Sequence, residues 1–359
     1  MDGARPAPRV AIVGAGVAGR AAAAALRCSG VAVEVLDKGR GGCGRAATRR
    51  GAVHFDGGAQ YFTMTQQRSW AAEAAANGTL APWLREPGQL VKSNTGVGYK
   101  ASSVTSLGES WVAVPGMNRL GDAIDPTTRV KFNCRIKSIK PEGACWALQD
   151  ESGTSVGVFD AVLVTVPPHQ AKDLFPTPCS LLGSVPPEES EGATEPCRVA
   201  AFRFPANAIG GLWQGMMVDG GWLGPGGWIA RDSSKEGRQD SSGDETFVVQ
   251  AGPERSRQTY HTPDEALEAD MLKAFFAAAD VATPFPAPIA VAWFRWRYAQ
   301  TVKDISEGQG VITDNNLPGL FYAGANCCDG LIESVVDSGE LAASQILNYV
   351  NNSPQDAAL

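Results

Sequence analysis

Short apolar runs flank an alanine-rich stretch at the start of the chain, and this pattern predicts a strand–helix–strand unit. Residues 10–13 and 31–36 are apolar runs of strand length, and residues 17–28 between them are rich in alanine. Continuous apolar strands joined through a helix are typical of a parallel sheet whose two faces are both covered. We therefore expect a βαβ unit at the N-terminus.

The rest of the pattern predicts three longer helices and a series of strands. Residues 67–86 and 263–279 carry apolar side chains at helical spacing, and a C-terminal helix is expected over about 332–349. An acidic, proline-rich surface loop is expected at 183–197. The remaining predictions are a short helix at 119–124 and strands within 89–114 and at 130–139, 144–148, 159–166, 198–204, 226–231, 247–251, 289–298 and 320–323.

A glycine pattern joins the first strand to the first helix. Gly14, Gly16 and Gly19 form the sequence G-x-G-x-x-G, and Asp37 follows the second strand. In a dinucleotide-binding unit the three glycines allow a tight turn, the approach of a pyrophosphate and close packing of the helix on the strand, while the acid binds the ribose hydroxyls. The combination predicts a dinucleotide site, and an ordinary glycine-rich βαβ turn is the alternative.

The two ends of the chain are predicted to share one domain, because the final strand and helix can join the first sheet. We expect an α/β fold, α+β overall, with a discontinuous Rossmann-type domain that carries an inserted, mainly antiparallel substrate domain. The Rossmann-type domain is predicted over 1–88, 128–170 and 305–359, and the substrate domain over 89–127 and 171–304.

Composition limits the classes of partner. The chain has 359 residues, 44% hydrophobic and 19% charged, and its net charge of −7 does not favour nucleic-acid binding. No apolar run approaches the roughly 20 residues that span a bilayer. The eight scattered cysteines and the absence of a signal-like start are expected for reduced thiols in the cytoplasm, or in an organelle after loss of a transit peptide. Three scattered histidines favour neither a metal site nor a His-based triad.

Two glycine-rich segments after Asp37 add candidate chemistry. Residues 38–45 combine four glycines with Arg40 and Arg45, which suits a second phosphate-facing loop, although a flexible basic surface loop has the same composition. Residues 55–62 contain paired glycines followed by Gln60, which could approach and hydrogen-bond a flat ring, with a plain β-turn as the alternative.

These segments resemble the FAD-dependent amine oxidase superfamily, and within it the renalase-like branch. The resemblance covers residues 10 to about 345. It is carried by the dinucleotide turn and by Asp37-Lys38-Gly39-Arg40, Thr48-Arg49-Arg50, Asp56-Gly57-Gly58-Ala59-Gln60-Tyr61-Phe62, Val114-Pro115-Gly116-Met117-Asn118, residues 228–235, residues 295–299 and Ala323-Gly324.

The resemblance implies a non-covalently bound FAD. Asp37 and the glycine turn would hold its ADP half, Arg45 would face the pyrophosphate, and the start of the C-terminal helix would stabilise the reduced flavin through its dipole. The implied cofactor residues are Gly14, Ala15, Gly16, Ala18, Gly19, Asp37, Lys38, Arg40, Gly44, Arg45, Gly58, Ala59, Gln60, Ile136, Gly324, Asn326, Ile332 and Glu333. Among them, Ala59 and Gln60 would lie beside the isoalloxazine, and Gly324 to Asn326 would hold the ribityl–phosphate part.

The implied activity is oxidation of the 2- and 6-dihydro isomers of reduced NAD(P), with hydride passing to flavin N5 and O₂ reoxidising the flavin to give H₂O₂. Gln60, Trp296 and Tyr298 are the predicted walls of the substrate site, the two aromatic residues lying on one face of a strand. Packing in the core is the alternative for that face. The expected partners are a small-molecule substrate and O₂, with no nucleic acid or membrane, in a monomer or weak dimer.

The chain departs from the family pattern at two places. Its loop has Cys43 within Gly41-Gly42-Cys43-Gly44-Arg45, where relatives have Gly-Pro-Gly-Gly-Arg, and Gln250 precedes Ala251, where relatives often have histidine. No lysine can be assigned from the sequence as a flavin-facing proton relay.

Several alternatives stay open. The same scaffold could oxidise a small amine or desaturate a carbon–carbon bond, or the protein could bind FAD without catalysis, whereas an NAD-dependent dehydrogenase would not need the second loop. Arg231 and Lys235 could bind a substrate phosphate or belong to a solvated hairpin tip at 233–244. Cys327 and Cys328 are expected to be buried thiols, with a covalent flavin link as the alternative. His54 is expected at a turn surface, and Trp213, Trp222 and Trp228 could cover a flavin or pack a sheet.

Overall fold

The structure is a computed structural model, and it describes residues 7–84, 90–93, 109–175, 181–182, 193–239 and 241–352. The strands are β1 (Arg9–Val13), β2 (Ala32–Leu36), β3 (Thr48–Arg49), β4 (Phe55–Asp56), β5 (Phe62–Met64), β6 (Leu80–Pro82), β7 (Leu90–Ser93), β8 (Glu109–Ala113), β9 (Val130–Lys131), β10 (Ile136–Glu142), β11 (Cys145–Asp150), β12 (Ser155–Phe159), β13 (Ala161–Val164), β14 (Thr194–Phe204), β15 (Gly215–Gly220), β16 (Gly224–Arg231), β17 (Glu245–Gln250), β18 (Ala290–Thr301), β19 (Val311–Thr313) and β20 (Leu320–Ala323). The helices are α1 (Val17–Cys28), α2 (Ser69–Ala76), α3 (Leu120–Ile124), α4 (Pro168–Ala171), α5 (Pro253–Thr259), α6 (Asp264–Ala278) and α7 (Ile332–Asn352).

The chain forms two compact units, each assembled from separate stretches. The first consists of Met1–Gly44, Leu120–Thr194 and Thr301–Leu359, and the second of Arg45–Arg119 and Glu195–Gln300.

A six-stranded sheet in the order β19-β20-β13-β1-β2-β9 forms the centre of the first unit. Five strands are parallel, and β19 pairs antiparallel at one edge. Alternate residues of β1 enter two different cores, Val10 and Ile12 on one face and Ala11 and Val13 on the other. This sheet confirms the predicted Rossmann-type architecture, in which an apolar strand is buried on both faces.

Helices α1 and α7 cover one face of this sheet and pack closely on each other. Ala22 and Leu26 of α1 share a core with Ala342 and Ile346 of α7. A methyl group added to Gly339 would lie 2.4 Å from the carbonyl oxygen of Ala18. The two ends of the chain therefore meet in one unit, as predicted. The opposite face is covered by the antiparallel sheet β10-β11-β12.

The second unit is built on a six-stranded sheet in the order β18-β14-β17-β16-β15-β7, accompanied by the smaller sheets β3-β4 and β5-β8-β6. Strand β17 pairs antiparallel with β14 and with β16, β15 pairs antiparallel with β16, and β15 and β7 are parallel. Phe202, Phe204 and Phe247 of the large sheet pack against Phe275 of α6, which forms the centre of this unit's core.

The predicted helix over residues 67–86 is wrong in its second half. Helix α2 ends where the chain turns at Asn77 and Gly78, and Gly78 has a φ of +76°. Such a left-handed residue is a common helix terminator. The chain then enters β6, where Leu80 pairs with Ala113. Apolar spacing alone does not reveal a cross-strand partner so distant in sequence.

The predicted strand over residues 130–139 is two strands, β9 and β10. Asn133 adopts a φ of +54° between them and interrupts the extended backbone. The N–H groups of Asn133 and Cys134 donate to the carbonyl oxygens of Gly39 and Asp37, both at 2.9 Å. The break therefore fixes this segment beside the acid of the dinucleotide turn.

The sequence patterns also missed the strands β3, β4, β5, β12, β15 and β19 and the helix α5, each short or interrupted by glycine, proline or polar residues. Residues 94–108 of the predicted strand pair lie outside the described residues, as do residues 183–192 of the predicted acidic loop. The end of that loop, from Thr194, instead begins β14.

The unit boundaries differ from the predicted domains. Residues 45–88, predicted with the Rossmann-type domain, lie in the second unit, because strands β3 to β6 pair among themselves and with β8. Residues 120–127 lie in the first unit, where buried Arg20 donates to the carbonyl oxygens of Gly121, Asp125 and Thr128 at 2.7–3.1 Å. The described residues within 171–194, and residues 301–304, also lie in the first unit.

No helix of the described segments is long and apolar enough to cross a membrane. Seven of the eight cysteines are described, and none of those seven forms a disulfide.

Candidate functional site

The dinucleotide turn of the first unit has one open position between two crowded ones. A methyl group on Gly14, whose φ is +114°, would lie 2.6 Å from Thr165 Oγ1, and one on Gly19 would lie 2.0 Å from the Gly14 carbonyl oxygen. A methyl group on Gly16 would meet no heavy atom of the described residues within 4 Å. Gly16 is also the N-cap of α1 and supplies no side-chain cap. The turn thus presents open space and helical N–H groups, as a pyrophosphate requires.

Asp37 connects this turn to the second loop. Its Oδ2 accepts the Ala15 N–H at 2.7 Å, and its Oδ1 accepts the Gly39 N–H at 2.6 Å. A carboxylate has about four lone-pair directions, so both oxygens can accept further hydrogen bonds. The acid is half-buried. It can therefore hold the turn and still accept a pair of ribose hydroxyls.

The glycine-rich loop lies against the same turn. The Cys43 N–H donates to the Ala15 carbonyl oxygen at 2.8 Å, and a methyl group on Gly44 would lie 3.4 Å from Gly16 Cα. Cys43 has a φ of +76° although it is not glycine, and burial raises the pKa of its thiol to about 12. Lys38 donates to Gln170 Oε1 at 2.6 Å, while the Arg40 side chain is exposed.

Residues near the C-terminus complete the arrangement in the first unit. Gly324, with a φ of +122°, follows β20, and a methyl group on it would lie 3.6 Å from Ala18 Cβ. The Asn326 side chain is 1% exposed; its Nδ2 donates to the Ala193 carbonyl oxygen at 3.0 Å, whereas its Oδ1 has no hydrogen-bond partner among the described residues. A buried acceptor without a donor suits a ligand that brings a hydroxyl. Ile332 and Glu333 begin α7 and are half-buried.

Two further predicted residues of this unit have clear positions. Ile136 begins β10 with a buried side chain, two residues after Cys134, whose N–H is bonded to Asp37. Cys327 is buried, as expected, and burial raises the pKa of its thiol. Cys328 is half-buried, with its Sγ 3.6 Å from the Ala325 carbonyl oxygen.

The candidate site of the second unit is the turn at residues 56–60, which begins at the last residue of β4. Asp56 is fully buried, and its Oδ1 accepts Thr48 Oγ1 at 2.7 Å and the Met117 N–H at 3.0 Å. A methyl group on Gly58 would lie 1.8 Å from the Arg45 carbonyl oxygen, which also accepts the Ala59 N–H at 3.0 Å. Only glycine fits at position 58.

Buried charges from the segment after β16 meet this turn. Lys235 Nζ lies 3.0 Å from Asp56 Oδ2 and 2.7 Å from Asp232 Oδ1, and Arg238 Nη2 donates to Asp56 Oδ2 at 2.6 Å. We call Asp56, Asp232, Lys235 and Arg238 the buried ion cluster. The alternative of a solvated hairpin tip at 233–244 is therefore wrong for Lys235 and Arg238, whose side chains are buried. Sequence reasoning missed the cluster because its partners lie 179 positions apart.

Arg231 is likewise engaged within its own unit. Its guanidinium pairs with Glu245 Oε1 at 2.7 Å and donates to the carbonyl oxygens of Gly210 and Gly211, both at 3.0 Å. These contacts give Arg231 a structural role in the hairpin rather than the free guanidinium that a phosphate site requires.

Burial disfavours the ionised form of both acids in the buried ion cluster, but with opposite outcomes. For Asp56 the charges of Lys235 and Arg238 outweigh burial and hold its pKa below the usual value. For Asp232 burial, together with the charge of Asp56, outweighs the same cations and raises its pKa. The cluster thus favours an ionised Asp56 at the start of the turn.

The Gln60 side chain is fully used inside the second unit. Its Nε2 donates to the carbonyl oxygens of Asp56 at 2.6 Å and Gly58 at 2.9 Å, and its Oε1 accepts from Lys235 at 3.1 Å. Gln250, in the place of the family histidine, donates to the same Gly58 oxygen at 2.8 Å. The Gln60 amide therefore stabilises the turn, and both its Nε2 and its Oε1 have partners within the second unit.

Trp296 also contacts this turn, whereas the other aromatic residues have varied roles. The Trp296 indole N–H donates to the Gly57 carbonyl oxygen at 2.6 Å, and Tyr298 lies half-buried two residues further along β18. The half-buried Tyr61 ring lies 6.0 Å from Trp83 and 5.5 Å from Trp228 between centroids. Trp213 is buried in the core of the second unit, and the Trp222 ring lies against Arg255. His54 is exposed, as expected.

The first unit thus has the defining parts of a dinucleotide-binding Rossmann protein, and the fit of its residues to FAD rests on the open Gly16 position and on Asn326 Oδ1.

Comparison with known proteins gives the family. Residues 102–347 match the model of flavin containing amine oxidoreductases, and residues 12–74 match that of the NAD(P)-binding Rossmann-like domain. The protein belongs to the flavin-containing amine oxidoreductase family, as the first match spans more than half of the chain.

Individual relatives agree with this assignment. Mouse renalase is 26% identical over 331 residues, which cover 88% of this chain and 92% of the mouse protein. A putative protoporphyrinogen oxidase from Exiguobacterium has a TM-score of 0.71 at 14% identity, covering 96% of this chain and 99% of its own. Cyclohexylamine oxidase from Brevibacterium oxydans has a TM-score of 0.69 at 15% identity, covering 97% of this chain and 100% of its own.

The family assignment identifies the protein as an FAD-dependent oxidoreductase, and mouse renalase is similar to it over most of its length. The two solved structures confirm the fold and, at their low identity, extend no further. The residue assignments made from the sequence remain predictions.

Proposed function

We propose that the protein is a renalase-type oxidase that converts the 2- and 6-dihydro isomers of reduced NAD(P), O₂ and a proton into NAD(P)⁺ and H₂O₂. When bound, FAD supplies the redox chemistry, accepting the hydride and passing the electrons to O₂. We further propose that the protein acts as a monomer or weak dimer and, because the seven described cysteines are scattered and unbridged, in the reducing cytoplasm.

The observation that carries the proposal is the pairing of charged groups around the 56–60 turn. Asp56 and Asp232 are each committed to Lys235 or Arg238 within the buried ion cluster. Loss of a hydride from a dihydropyridine creates an aromatic pyridinium and needs no base. A site whose carboxylates are neutralised by cations suits that reaction better than one that begins with removal of a proton from carbon.

The chain's own residues have defined tasks in this proposal. The N–H groups at the start of α1 and the open Gly16 position bind the pyrophosphate, with Arg40, Gly44 and Arg45 close in sequence to assist. Asp37 accepts the ribose hydroxyls, and Lys38 and Ile136 flank the adenosine. Gly324, Asn326 and the start of α7 at Ile332 and Glu333 bind the ribityl side, for which buried Asn326 Oδ1 is a suitable acceptor. The family resemblance assigns Ala59, Gln60, Trp296 and Tyr298 to the flavin ring and substrate.

A product assay tests the proposed reaction. The purified protein is mixed in air with NADH preparations enriched in the 2- and 6-dihydro isomers, and with pure 4-dihydro NADH as the control. We expect one NAD⁺ and one H₂O₂ for each isomer molecule consumed, and negligible turnover of the control. Equal turnover of all three forms, or consumption of the isomers without H₂O₂, would contradict the proposal.

An amine oxidase is the second candidate, and the aromatic group of Tyr61, Trp83 and Trp228 favours it. Three adjacent rings can accommodate a small apolar amine as well as a dihydropyridine. Two of the solved structures of similar fold are oxidases of cyclohexylamine and putrescine. H₂O₂ production with these two amines, and none with the dihydropyridine isomers, would select this alternative.

A further inference from the structure

The buried ion cluster places four formal charges where no water reaches them. Asp56, Asp232 and Lys235 are at most 1% exposed, and the Arg238 side chain is 2% exposed. Removing charged groups from water is costly, and an apolar core of equal volume is often as stable. The cluster therefore requires an explanation other than stability, and its contacts with the 56–60 turn supply one.

Lys235 is the central member of the cluster because each of its N–H groups has an acceptor, two within the cluster and one on Gln60. An ammonium has three N–H groups. The three acceptors of Nζ are Asp56 Oδ2 at 3.0 Å, Gln60 Oε1 at 3.1 Å and Asp232 Oδ1 at 2.7 Å. A lysine that donates every proton to a fixed acceptor is suited to orienting its neighbours and unsuited to relaying protons.

The contact with Gln60 fixes which way that amide faces. An ammonium can only donate, so Oε1 must point toward Lys235 and Nε2 must point away from it. In that orientation Nε2 reaches the carbonyl oxygens of Asp56 and Gly58. Lys235 thus holds the turn at two places, directly through the Asp56 carboxylate and indirectly through the Gln60 amide.

We propose that Lys235 is a positioning residue, which fixes the Gln60 amide and the 56–60 turn and thereby sets the environment that the turn gives to the flavin ring. The part concerning the flavin rests on the proposed function, since that function assigns Ala59 and Gln60 to the ring. The part concerning the turn depends only on the contacts of the second unit.

The test separates anchoring of Gln60 from simple charge balance. Lys235→Met removes the ammonium and leaves Asp56 and Asp232 opposite Arg238 alone. Lys235→Met combined with Asp232→Asn restores a neutral pair of Asp56 and Arg238, yet still leaves Gln60 Oε1 without its donor. Arg198→Met is the matched control, because Arg198 is a fully buried cation of the same unit, paired with Asp264 at 2.8 Å.

Two properties of each holoprotein variant are measured, one of the turn and one of the bound flavin. Hydrogen exchange is measured at the Gly57 and Ala59 amides, which donate to the carbonyl oxygens of Ala47 and Arg45. The visible spectrum and the midpoint potential of the bound flavin are measured on the same samples. We expect the charge-balanced double variant to exchange at least tenfold faster at both amides and to shift the flavin spectrum and potential, whereas Arg198→Met changes neither readout even if it lowers the melting temperature.

A second comparison shows whether Lys235 acts through Gln60. Combining Gln60→Ala with Lys235→Met should change exchange and spectrum no more than the larger single change, because the two residues form one unit of contacts. Additive effects would overturn the assignment to Gln60.

The outcomes are distinguishable. Wild-type exchange and spectrum in the charge-balanced double variant would overturn the proposal and reduce Lys235 to a counterion. Faster exchange with an unchanged flavin spectrum and potential would confine its role to the turn and overturn the link to the flavin. If the wild-type protein is not reduced by the dihydropyridine isomers, the proposed function fails, while the exchange result still decides the role of Lys235 in the turn.

Discussion

At the scale of single residues, the glycines of the dinucleotide turn differ in what surrounds them. Gly19 is needed because the Gly14 carbonyl oxygen would lie 2.0 Å from any added methyl group. Gly16 faces no described atom within 4 Å. Gly19 is thus required by the packing of the protein itself, whereas Gly16 is required by the ligand that enters the open space.

Substituting these two glycines should therefore separate folding from cofactor binding. Gly16→Ala should leave the unfolding free energy of the apoprotein within about 0.5 kcal/mol of wild type and weaken FAD binding by roughly tenfold or more, about 1.4 kcal/mol. Gly19→Ala should destabilise the apoprotein by about 1–3 kcal/mol through overpacking. Urea unfolding and fluorescence titration with FAD measure the two quantities. Tight FAD binding by Gly16→Ala would show that the open space is not the pyrophosphate site.

Asp125 gives a residue-scale prediction about pH. Burial disfavours its ionised form, but hydrogen bonds from Thr127 and Thr128 and the charge of Arg27 outweigh burial, so its pKa lies below the usual value. A folded-state pKa below the unfolded one, about 3.9, means that the ionised group stabilises the protein above that pH and that this stabilisation is lost as pH falls through the folded-state pKa.

We expect Asp125→Asn to lower the free energy of unfolding at pH 7 by about 1–3 kcal/mol. The difference from wild type should shrink as the pH is lowered below about 4. Urea unfolding curves at several pH values measure it, with Asp280→Asn at an exposed position as the control. A difference that grows toward acidic pH would contradict the assigned direction of the pKa shift.

At the scale of elements, the contact between α1 and α7 links the two ends of the chain to the dinucleotide turn. Gly339 allows α7 to approach α1 beside Ala18, the second residue of the helix, next to the N-terminus that faces the open position. A larger residue at 339 must push the helices apart and displace the start of α1.

Gly339→Ala should consequently destabilise the protein and weaken FAD binding together. The added methyl group, 2.4 Å from a backbone oxygen, should cost about 1–3 kcal/mol. Ser344→Ala, at an exposed position of the same helix, is the control and should change neither property. Thermal unfolding and the flavin content of the purified protein measure the effects. Unchanged flavin content in a destabilised Gly339→Ala protein would separate α7 from cofactor binding.

At the same scale, sequence patterns identified the elements that are regular and missed those defined by distant partners. The positions of α1, α6, α7 and β20 follow from continuous apolar runs or helical spacing, and all four lie where they were predicted. The second half of the helix predicted at 67–86 is a strand because Leu80 pairs with Ala113, and no local signal indicates that pairing.

At the scale of the whole molecule, the first unit could be predicted because its parts are repeated signals of known geometry. The glycine turn, the acid after β2 and the late strand and helix each have a place in a Rossmann sheet, and the structure brings Gly14, Asp37 and Gly324 into one unit. The buried ion cluster could not be predicted, because a lysine and an arginine in a polar segment have the pattern of a solvated loop. Only the fold shows that Asp56 is their partner.

The most direct test of the whole account is anaerobic stopped-flow absorbance of the flavin that copurifies with the protein. The protein is mixed with NADH preparations enriched in the 2- and 6-dihydro isomers, and separately with pure 4-dihydro NADH. We predict rapid bleaching of the visible flavin band by the isomers alone, with H₂O₂ forming when air is admitted. A bound flavin that the isomers do not bleach would contradict the renalase-type reaction.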